Sequence, residues 1–198
     1  MPSQRRIGLT GGIASGKSSV GRWLADRGIP LLDADQIARD ALVTGSDGAK
    51  RVLEHFGDRV LASGSTLVEG RIDRAALARI VFSDPDERRW LERLVHPLVR
   101  DHFDGELVRL EQEPIVVLMI PLLFEANLES LCTEIWVVTC SEQQQQERLM
   151  ARDALTAEEA RLRIAAQLPL ASKCAKADLV IDNGDRPEAW TVLVESQL

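Results

Sequence analysis

Short apolar runs are spaced along the chain, separated by longer stretches in which apolar residues recur every three or four positions. The runs are Arg6–Leu9, Ile29–Leu32, Ile115–Ile120, Ile135–Thr139 and Leu179–Ile181. Continuous apolar runs of this length are typical of parallel strands covered on both faces, and the periodic stretches between them predict helices. The alternation predicts an α/β protein with an open parallel sheet and right-handed crossovers.

The stretch between the second and third runs, residues 36–113, has a mainly helical pattern. Asp73 is expected to be the N-cap of one helix. Asp84–Glu87 combines an N-cap, a first-turn proline and a capping-box glutamate for the next helix. Pro97 lies within the apolar stripe of that second helix and lacks a backbone donor, so a kink or break is expected near His96.

Two further helices are predicted between the fourth and fifth runs. Ser141 with Gln144, and Thr156 with Glu159, have the spacing of capping boxes. A terminal helix is expected from Pro187 onward. The chain shows no internal repeat.

Composition and charge narrow the class of protein. The 198 residues are 45% hydrophobic and 28% charged, as expected of a folded globular protein. The net charge of -7 disfavours a protein that binds nucleic acid over its whole surface. The stretch 148–176 is nevertheless locally basic, which suits a small polyanionic ligand.

The cysteines and the apolar segments suggest where the protein works. Cys132, Cys140 and Cys174 are odd in number and lack metal-ligand spacing, so neither a disulfide framework nor a zinc site is expected. Residues 1–6 show no signal-peptide pattern, and the longest apolar run, Ile115–Leu123, is too short to span a membrane. A reducing, cytoplasmic location is expected.

A glycine-rich loop follows the first predicted strand and opens the first predicted helix. It fits the P-loop pattern G-x-x-x-x-G-K-[ST], in which backbone N–H groups and the helix N-terminus surround phosphates. Lys17 is expected to reach the β- and γ-phosphates of ATP, and Ser18 to bind Mg²⁺. The residues expected to hold the nucleotide are Gly11, Gly12, Ile13, Ala14, Ser15, Gly16, Lys17, Ser18 and Ser19.

The P-loop class is narrowed by what surrounds the loop. The chain has no Asn-Lys-x-Asp segment of the kind that reads guanine, and Ile115–Ile120 runs into Pro121–Glu125 rather than into an Asp-Glu pair. Asp33 follows the second predicted strand, at the sheet edge where ligands of α/β proteins bind. These features favour a kinase.

Three further polar residues each allow two interpretations. Asp33 either orients an acceptor hydroxyl and takes its proton, or caps the helix that starts at Ala34. An ordinary aspartate is a weak base, which phosphoryl transfer tolerates because its transition state is loose. Asp35 is either a cap or a group that contacts a ligand of the metal. His96 either contacts substrate or is a packed or surface residue.

Arg148 and Arg152 lie four positions apart and share one face of a predicted helix. In a mobile lid they would neutralise charge on the transferring phosphoryl group. The alternative is a solvated face on which they pair with Glu147 or Asp153. The Gln143–Gln146 tract is interpreted as a solvated first helical turn.

An ordered set of motifs spans nearly the whole chain. In this set the chain resembles the dephospho-CoA kinases. The matching segments are Thr10–Ser18, Asp33–Asp35 with Arg39, His96–Arg100, Pro121–Glu125, Arg148, Arg152–Asp153, Gln167, Lys173 and Ala177–Asp178 leading to Asn183.

The resemblance implies transfer of the ATP γ-phosphate to the ribose 3′-hydroxyl of dephospho-CoA, giving CoA and ADP. It implies that Asp33 is the base, that Arg152 is a lid residue near the phosphates, and that Asn183 lies near the adenine. It also implies ATP and Mg²⁺ as cofactors and small molecules as the partners, with no nucleic acid, membrane or obligate protein partner. The residues expected to border the acceptor are Asp35, Arg39, His96 and Arg100.

The chain departs from the family pattern at a few turn positions. Ala14 stands where the loop usually has glycine, Thr44–Gly45 replaces a Pro-Gly turn, and Ala154 replaces a frequent glycine after Arg152–Asp153. Ala14 is not expected to affect phosphate contacts, and Ala154 is expected to stiffen a lid hinge. None of these positions touches the expected chemistry.

The implied fold is a three-layer P-loop NTPase fold of the nucleotide-kinase type. Residues 1–35, 114–140 and 177–198 would form the nucleotide-binding core, residues 36–113 a helical substrate insertion, and residues 141–176 a lid. Two other functions stay open at this point: a kinase of the same scaffold with another acceptor, and an ATP-binding regulator without transfer. The regulator is disfavoured because a pure binder needs no acceptor-side base.

Overall fold

The computed structural model describes residues 4–66, 70–184 and 189–198. It divides into two compact units. The sheet unit consists of Met1–Asp33 and Leu110–Leu198, and the helical unit consists of Ala34–Arg109. The division into a nucleotide-binding core, a substrate insertion and a lid segment (residues 141–176) stays a prediction.

The sheet unit contains one parallel sheet. Its strands are β1 (Arg5–Gly11), β2 (Leu31–Asp33), β3 (Ile115–Met119), β4 (Glu134–Thr139) and β5 (Leu179–Asp182). The order is β2-β3-β1-β4-β5, and every neighbouring pair is parallel. The predicted α/β fold with a central parallel sheet is confirmed, and β2 lies slightly later than expected so that it includes Asp33.

Helices fill the connections between the strands. In chain order they are α1 (Lys17–Ala25), α2 (Ala34–Asp40), α3 (Asp47–Phe56), α4 (Arg74–Ser83), α5 (Pro85–Arg109), α6 (Glu142–Asp153), α7 (Ala157–Ala165), α8 (Leu170–Cys174) and α9 (Thr191–Glu195). Helices α2 to α5 make up the helical unit. No helix in the described ranges is both long and apolar enough to cross a membrane.

In the core of the sheet unit, apolar side chains of the central strands pack against one face of α1 and one face of α9. Leu9, Val117 and Val138 are fully buried, which explains why their runs are continuously apolar rather than alternating. The cluster contains Ile7, Leu9, Val20, Leu24, Val117, Met119, Trp136, Val138, Ile181, Trp190 and Val194.

The register brings the carboxyl ends of the strands to one edge. Leu9 of β1 lies opposite Met119 of β3, and Met119 lies opposite Asp33 of β2. On the other side of β1 in the sheet, Thr139 of β4 lies opposite Asp182 of β5. The loops after these strands therefore meet at the edge where parallel sheets bind ligands.

The helical unit is held together by packing against α5. Helices α2, α3 and α4 all contact α5, and Val52, Phe56, Leu77 and Leu94 are buried among them. Asp73 caps α4, as predicted, by accepting hydrogen bonds from the backbone N–H groups of residues 75 and 76 at 2.9 and 3.0 Å.

Two local predictions for α5 are corrected. The break expected near His96 is absent, since the helix continues through Pro97 and buried residues on either side of the proline keep both halves packed; a kink there stays a prediction. Glu87 does not close a capping box: its carboxylate accepts from His55 at 2.6 Å and from Arg59 at 3.2 Å. Asp84 caps the helix alone, accepting from the N–H groups of residues 86 and 87.

The capping boxes of α6 and α7 are confirmed. Ser141 and Gln144, and Thr156 and Glu159, exchange side-chain and backbone hydrogen bonds in both directions. The predicted start of the terminal helix, Pro187, lies outside the described residues, and the helix is assigned from Thr191.

Candidate active site

The glycine-rich loop, residues 11–19, connects β1 to α1 at the carboxyl edge of the sheet, and we call it the phosphate loop. Gly16 precedes the helix in a left-handed conformation (φ 95°), and no side chain caps the helix. The first N–H groups of α1 are therefore not used by a side-chain cap, as in anion sites at helix N-termini. Lys17 is half-buried at the start of the helix, and the side chains of Ser18 and Ser19 are exposed.

Within this loop Ala14 has a φ of 58°. A left-handed conformation costs a residue with a Cβ about 1–2 kcal/mol. The loop therefore keeps the backbone of a glycine at a position where this chain has alanine, and other contacts must offset the cost.

Two glutamines of the predicted lid segment hold the residue before Ala14. The amide nitrogen of Gln145, on α6, donates to the carbonyl oxygen of Ile13 at 2.7 Å. The amide oxygen of Gln167, after α7, accepts from the backbone N–H of Ile13 at 2.9 Å. We call this pair the glutamine clamp.

The interpretation of Gln143–Gln146 as a solvated turn is wrong for Gln145, which is 4% exposed. Its spacing from Leu149, which is fully buried, was the available signal, because residues four apart share a helix face. The partner of Gln145 could not have been identified from the sequence, since it is 132 residues away.

Asn183, after β5, holds the loop on the other side of Ala14. Its amide nitrogen donates to the carbonyl oxygen of Ser15 at 2.9 Å, and its amide oxygen accepts from the indole N–H of Trp190 at 3.0 Å. A Cβ at Gly16 would collide with the Asn183 amide, so this contact requires glycine there. Asn183 thus supports the phosphate loop, and its place near the adenine stays a prediction.

The two arginines of α6 have different surroundings. Arg148 lies against the loop, donating to the carbonyl oxygen of Asn183 at 2.9 Å and to that of Ser15 at 3.5 Å. Arg152 points its guanidinium at Asp153, with N–O distances of 2.8 and 3.1 Å, and is more than half exposed. Asp153 also binds Arg163 at 3.0 Å. Arg152 is thus on a solvated face here, and its role at the phosphates stays a prediction.

Asp33 is the last residue of β2, and its side chain is half-buried. Strands β1, β2 and β3 are parallel, with β3 in the middle. Asp33 and the phosphate loop therefore both lie at the carboxyl edge of the sheet. Helix α2 begins at the next residue, Ala34. Both interpretations of Asp33, as base and as cap, remain compatible with this position.

The loop after β3 is tied to β1 and to α8. The carbonyl oxygen of Pro121 accepts from the Thr10 hydroxyl at 3.1 Å and from the Lys173 ammonium at 3.4 Å. Lys173 is fully buried and also pairs with Glu125 at 2.8 Å, while Glu125 accepts from the backbone N–H of Leu168 at 3.0 Å. The motif residues Pro121, Glu125 and Lys173 therefore form a joint between these elements.

The electrostatics of this joint favour the ionised carboxylate. Burial raises the pKa of Glu125, but hydrogen bonds from Lys173 and from the backbone outweigh it, so the net pKa lies below the ordinary value of 4.5. The buried ammonium of Lys173 is thus matched by a nearby negative charge.

The four predicted acceptor residues lie in the helical unit. Asp35 and Arg39 are one turn apart on α2, His96 and Arg100 are one turn apart on α5, and all four are exposed. Because α2 packs against α5, the two pairs are carried by neighbouring helices. Their contact with a substrate stays a prediction.

Ser18 is the loop residue expected to hold a magnesium ion. Ser18 presents an exposed hydroxyl in the first turn of α1. Within the described parts of the chain, no group of three or more His, Cys, Asp or Glu side chains could hold a metal. Mg²⁺ at phosphate sites commonly uses few protein ligands, with phosphates and water for the rest, and its binding at Ser18 stays a prediction.

Known proteins match the chain over nearly its whole length. A family model described as Dephospho-CoA kinase matches residues 5–188. A Dephospho-CoA kinase from Synechococcus sp. (strain CC9605) is 60% identical over 188 residues, which are 95% of this chain and 89% of that relative. The crystal structure of TT1252 from Thermus thermophilus is 37% identical with a TM-score of 0.83, covering 98% of this chain and 96% of its own. Dephospho-CoA kinase from Campylobacter jejuni is 27% identical with a TM-score of 0.71, covering 97% and 96%.

Proposed function

The chain belongs to the dephospho-CoA kinase family, and from this premise we propose which of its residues perform the family's reaction. The protein transfers the γ-phosphate of ATP to the ribose 3′-hydroxyl of dephospho-CoA, which gives CoA and ADP. The phosphate loop, Gly11–Ser19, holds the nucleotide, and Lys17 binds the β- and γ-phosphates. Support for this role comes from the uncapped N-terminus of α1 and the loop that precedes it.

In the reaction the acceptor oxygen forms a bond to the γ-phosphorus while the bond to the β–γ bridging oxygen breaks. ADP leaves with that electron pair, and the hydroxyl proton passes to the carboxylate of Asp33. Asp33 acts mainly by orienting the hydroxyl, since the transition state is loose. The hydroxyl of Ser18 would hold Mg²⁺, which when bound would neutralise charge on the phosphate oxygens.

Arg152 is the lid residue in this proposal. Its guanidinium is exposed and held only by the neighbouring Asp153 among the ion pairs described. Leaving an exposed ion pair costs little free energy, so Arg152 can exchange Asp153 for the transferring phosphoryl group. Arg148 instead stays with the loop, where two carbonyl oxygens accept its hydrogen bonds.

The acceptor is bound by the polar residues of α2 and α5. Two arginines, Arg39 and Arg100, offer charge-assisted hydrogen bonds to phosphate oxygens of dephospho-CoA. Asp35 and His96 offer hydrogen bonds to its sugar and base. Their exposure on neighbouring helices supports this assignment.

The protein works in the cytoplasm on small-molecule substrates. The odd number and the spacing of Cys132, Cys140 and Cys174 support a reducing compartment. Its partners are ATP and dephospho-CoA.

The observation that carries the proposal is the position of Asp33 at the same sheet edge as the phosphate loop. The first experiment measures ADP release by the purified protein with Mg-ATP, with and without dephospho-CoA and with a panel of nucleosides and nucleotides. ADP formed only with dephospho-CoA, together with a product of CoA mass, is expected. Turnover with a different acceptor, or ATP binding without transfer, would contradict it.

Replacing Asp33 tests the base. Asp33→Asn keeps the shape of the side chain but removes the proton acceptor, so we expect kcat to fall about 100-fold or more while ATP affinity stays close to that of the parent. Asp26→Asn, at the exposed far end of α1, is the matched control and should retain full turnover. Near-normal kcat in Asp33→Asn would leave Asp33 as a helix cap only.

A further inference from the structure

We propose that Gln145 and Gln167 are positioning residues for phosphoryl transfer, because they hold the backbone N–H and carbonyl groups of Ile13 and so keep the adjacent Ala14 in the left-handed conformation that shapes the phosphate loop. The proposal rests on the assignment of this loop as the ATP site. The proposal assigns a role to Gln167, which belongs to the family motif but had no role so far. It also assigns one to Gln145, which the sequence pattern predicted to be solvated.

The clamp contacts Ile13 on both of its backbone groups. Gln145 donates to the carbonyl at 2.7 Å and Gln167 accepts from the N–H at 2.9 Å. The backbone has a fixed donor and a fixed acceptor, so each amide orientation is set by its partner. Gln145 is almost completely buried, where a lost hydrogen bond is not replaced by water without cost.

The clamp acts next to the strained residue. Ala14, with φ 58°, lies between Ile13, held by the clamp, and Ser15, held by Asn183 at 2.9 Å. Ser15 also donates its N–H to the carbonyl of Gly12 at 3.1 Å. The peptide group before Ala14 is held by Gln145 at the Ile13 carbonyl, and the one after it by the Gly12 carbonyl at the Ser15 N–H. Both bonds oppose relaxation of Ala14 to a negative φ. A relaxed Ala14 would rotate its peptide groups away from the arrangement that phosphates require.

The glutamines lie in the wall of a pocket, and the amide of Gln145 also packs against Gly12, where an added Cβ would collide with it. A cavity of about 590 Å³ lies beside the clamp, and Gly12, Gln145, Ile164, Gln167 and Cys174 are among the residues that line it. Both glutamines belong to the lid segment, one on α6 and one after α7. A displacement of the lid segment would therefore release Ile13, which couples the shape of the phosphate loop to the lid.

The test is a pair of double-mutant cycles. Gln145→Leu and Gln167→Leu remove the hydrogen bonds at similar volume, each with and without Ala14→Gly, because glycine adopts the left-handed conformation without strain. Mg-ATP affinity is measured by calorimetry, and KM for ATP and for dephospho-CoA by steady-state kinetics. Gln143→Leu, on the exposed face of α6 where Gln143 binds Glu147, is the matched control.

Each leucine substitution is expected to weaken Mg-ATP binding about fivefold to tenfold, and to raise KM for ATP more than KM for dephospho-CoA. With Ala14→Gly also present, the same substitution is expected to cost less than about twofold. Recovery of Mg-ATP affinity by Ala14→Gly distinguishes a positioning role from a general loss of stability. Thermal unfolding of each variant measures its stability in parallel.

Two results would overturn the proposal: an equal loss of ATP affinity with and without Ala14→Gly, or unchanged affinity in both leucine variants. Calorimetry measures the effect of the clamp on Mg-ATP affinity in the absence of dephospho-CoA. Phosphate transfer by the parent chain tests the assigned reaction separately, so failure of the one is distinguishable from failure of the other.

Discussion

At the residue scale, alanines occupy two backbone positions suited to glycine. Ala14 in the phosphate loop and Ala154 after α6 have φ values of 58° and 53°. Both stand where the resemblance to the family suggested glycine, so the backbone conformation is the same although the side chain differs. Ala154 ends α6 as a left-handed C-cap, a position that glycine usually fills.

Ala154→Gly should therefore stabilise the protein. Relief of the left-handed strain outweighs the added freedom of the unfolded chain, and we expect the free energy of unfolding to rise by about 0.5–1 kcal/mol. Urea unfolding followed by circular dichroism measures the change.

Ala151→Gly is the control with the opposite sign. Ala151 lies inside α6 and is exposed, where glycine costs up to about 1 kcal/mol relative to alanine. A loss of stability in Ala154→Gly equal to that in Ala151→Gly would show that the C-cap is not strained.

At the scale of elements, the joint formed by Lys173 connects α8 with the loop after β3. Lys173→Met should destabilise the protein by about 3 kcal/mol, because it leaves the carboxylate of Glu125 without its main partner. Chemical unfolding gives the difference between variant and parent.

Lys50→Met is the matched control, since Lys50 pairs with Asp47 at 3.0 Å on the exposed surface. That substitution should cost less than about 1 kcal/mol. Equal costs for the two lysines would mean that burial adds nothing to the Lys173 pair.

The elements also show how far the sequence could predict the structure. Apolar runs and capping boxes depend on neighbours within a few residues, so the strands, the caps of α6 and α7 and the phosphate loop were predictable. Glu87 and Gln145 could not be assigned, because both followed a local pattern while their side chains bind partners far along the chain. Pro97 failed as a breaker because the packing of a long helix outweighed one missing donor.

The same limit applies to the site. The phosphate loop and Asp33 were predictable because motif and strand end lie together in sequence. The contacts of Asn183 and Lys173 with the loops were not, because strand order brings those loops together. The motif marked both residues, and only the fold shows what they touch.

At the scale of the whole molecule, several carboxylates have lowered pKa values. Hydrogen bonds from His55 lower that of Glu87, and those from Arg152 lower that of Asp153. For Glu125 and Glu134 burial raises the pKa, but hydrogen bonds, from Lys173 and from Arg5 respectively, outweigh it. All four are more easily ionised in the folded chain than in the unfolded one.

Stability should consequently fall in acid. A lowered folded pKa contributes stability above the ordinary values of 4.5 for Glu and 3.8 for Asp, and that contribution is lost as pH falls through the folded value. Urea unfolding between pH 7 and pH 3 should show a plateau down to about pH 5 and a decline below it. Glu125→Gln should flatten that decline, and an unchanged acid slope would contradict the role of this carboxylate.

The strand order has a consequence for synthesis on the ribosome. Strand β1 carries the phosphate loop, and its pairing partners among the described strands are β3 and β4, whose residues lie at 115–119 and 134–139. Strand β1 is synthesised first but cannot form these pairs until more than half of the chain has been translated. The helical unit, residues 34–109, is contiguous in sequence, and contacts close in sequence form fastest. The nascent chain can thus fold its helical unit while β1 and the phosphate loop are not yet part of a sheet.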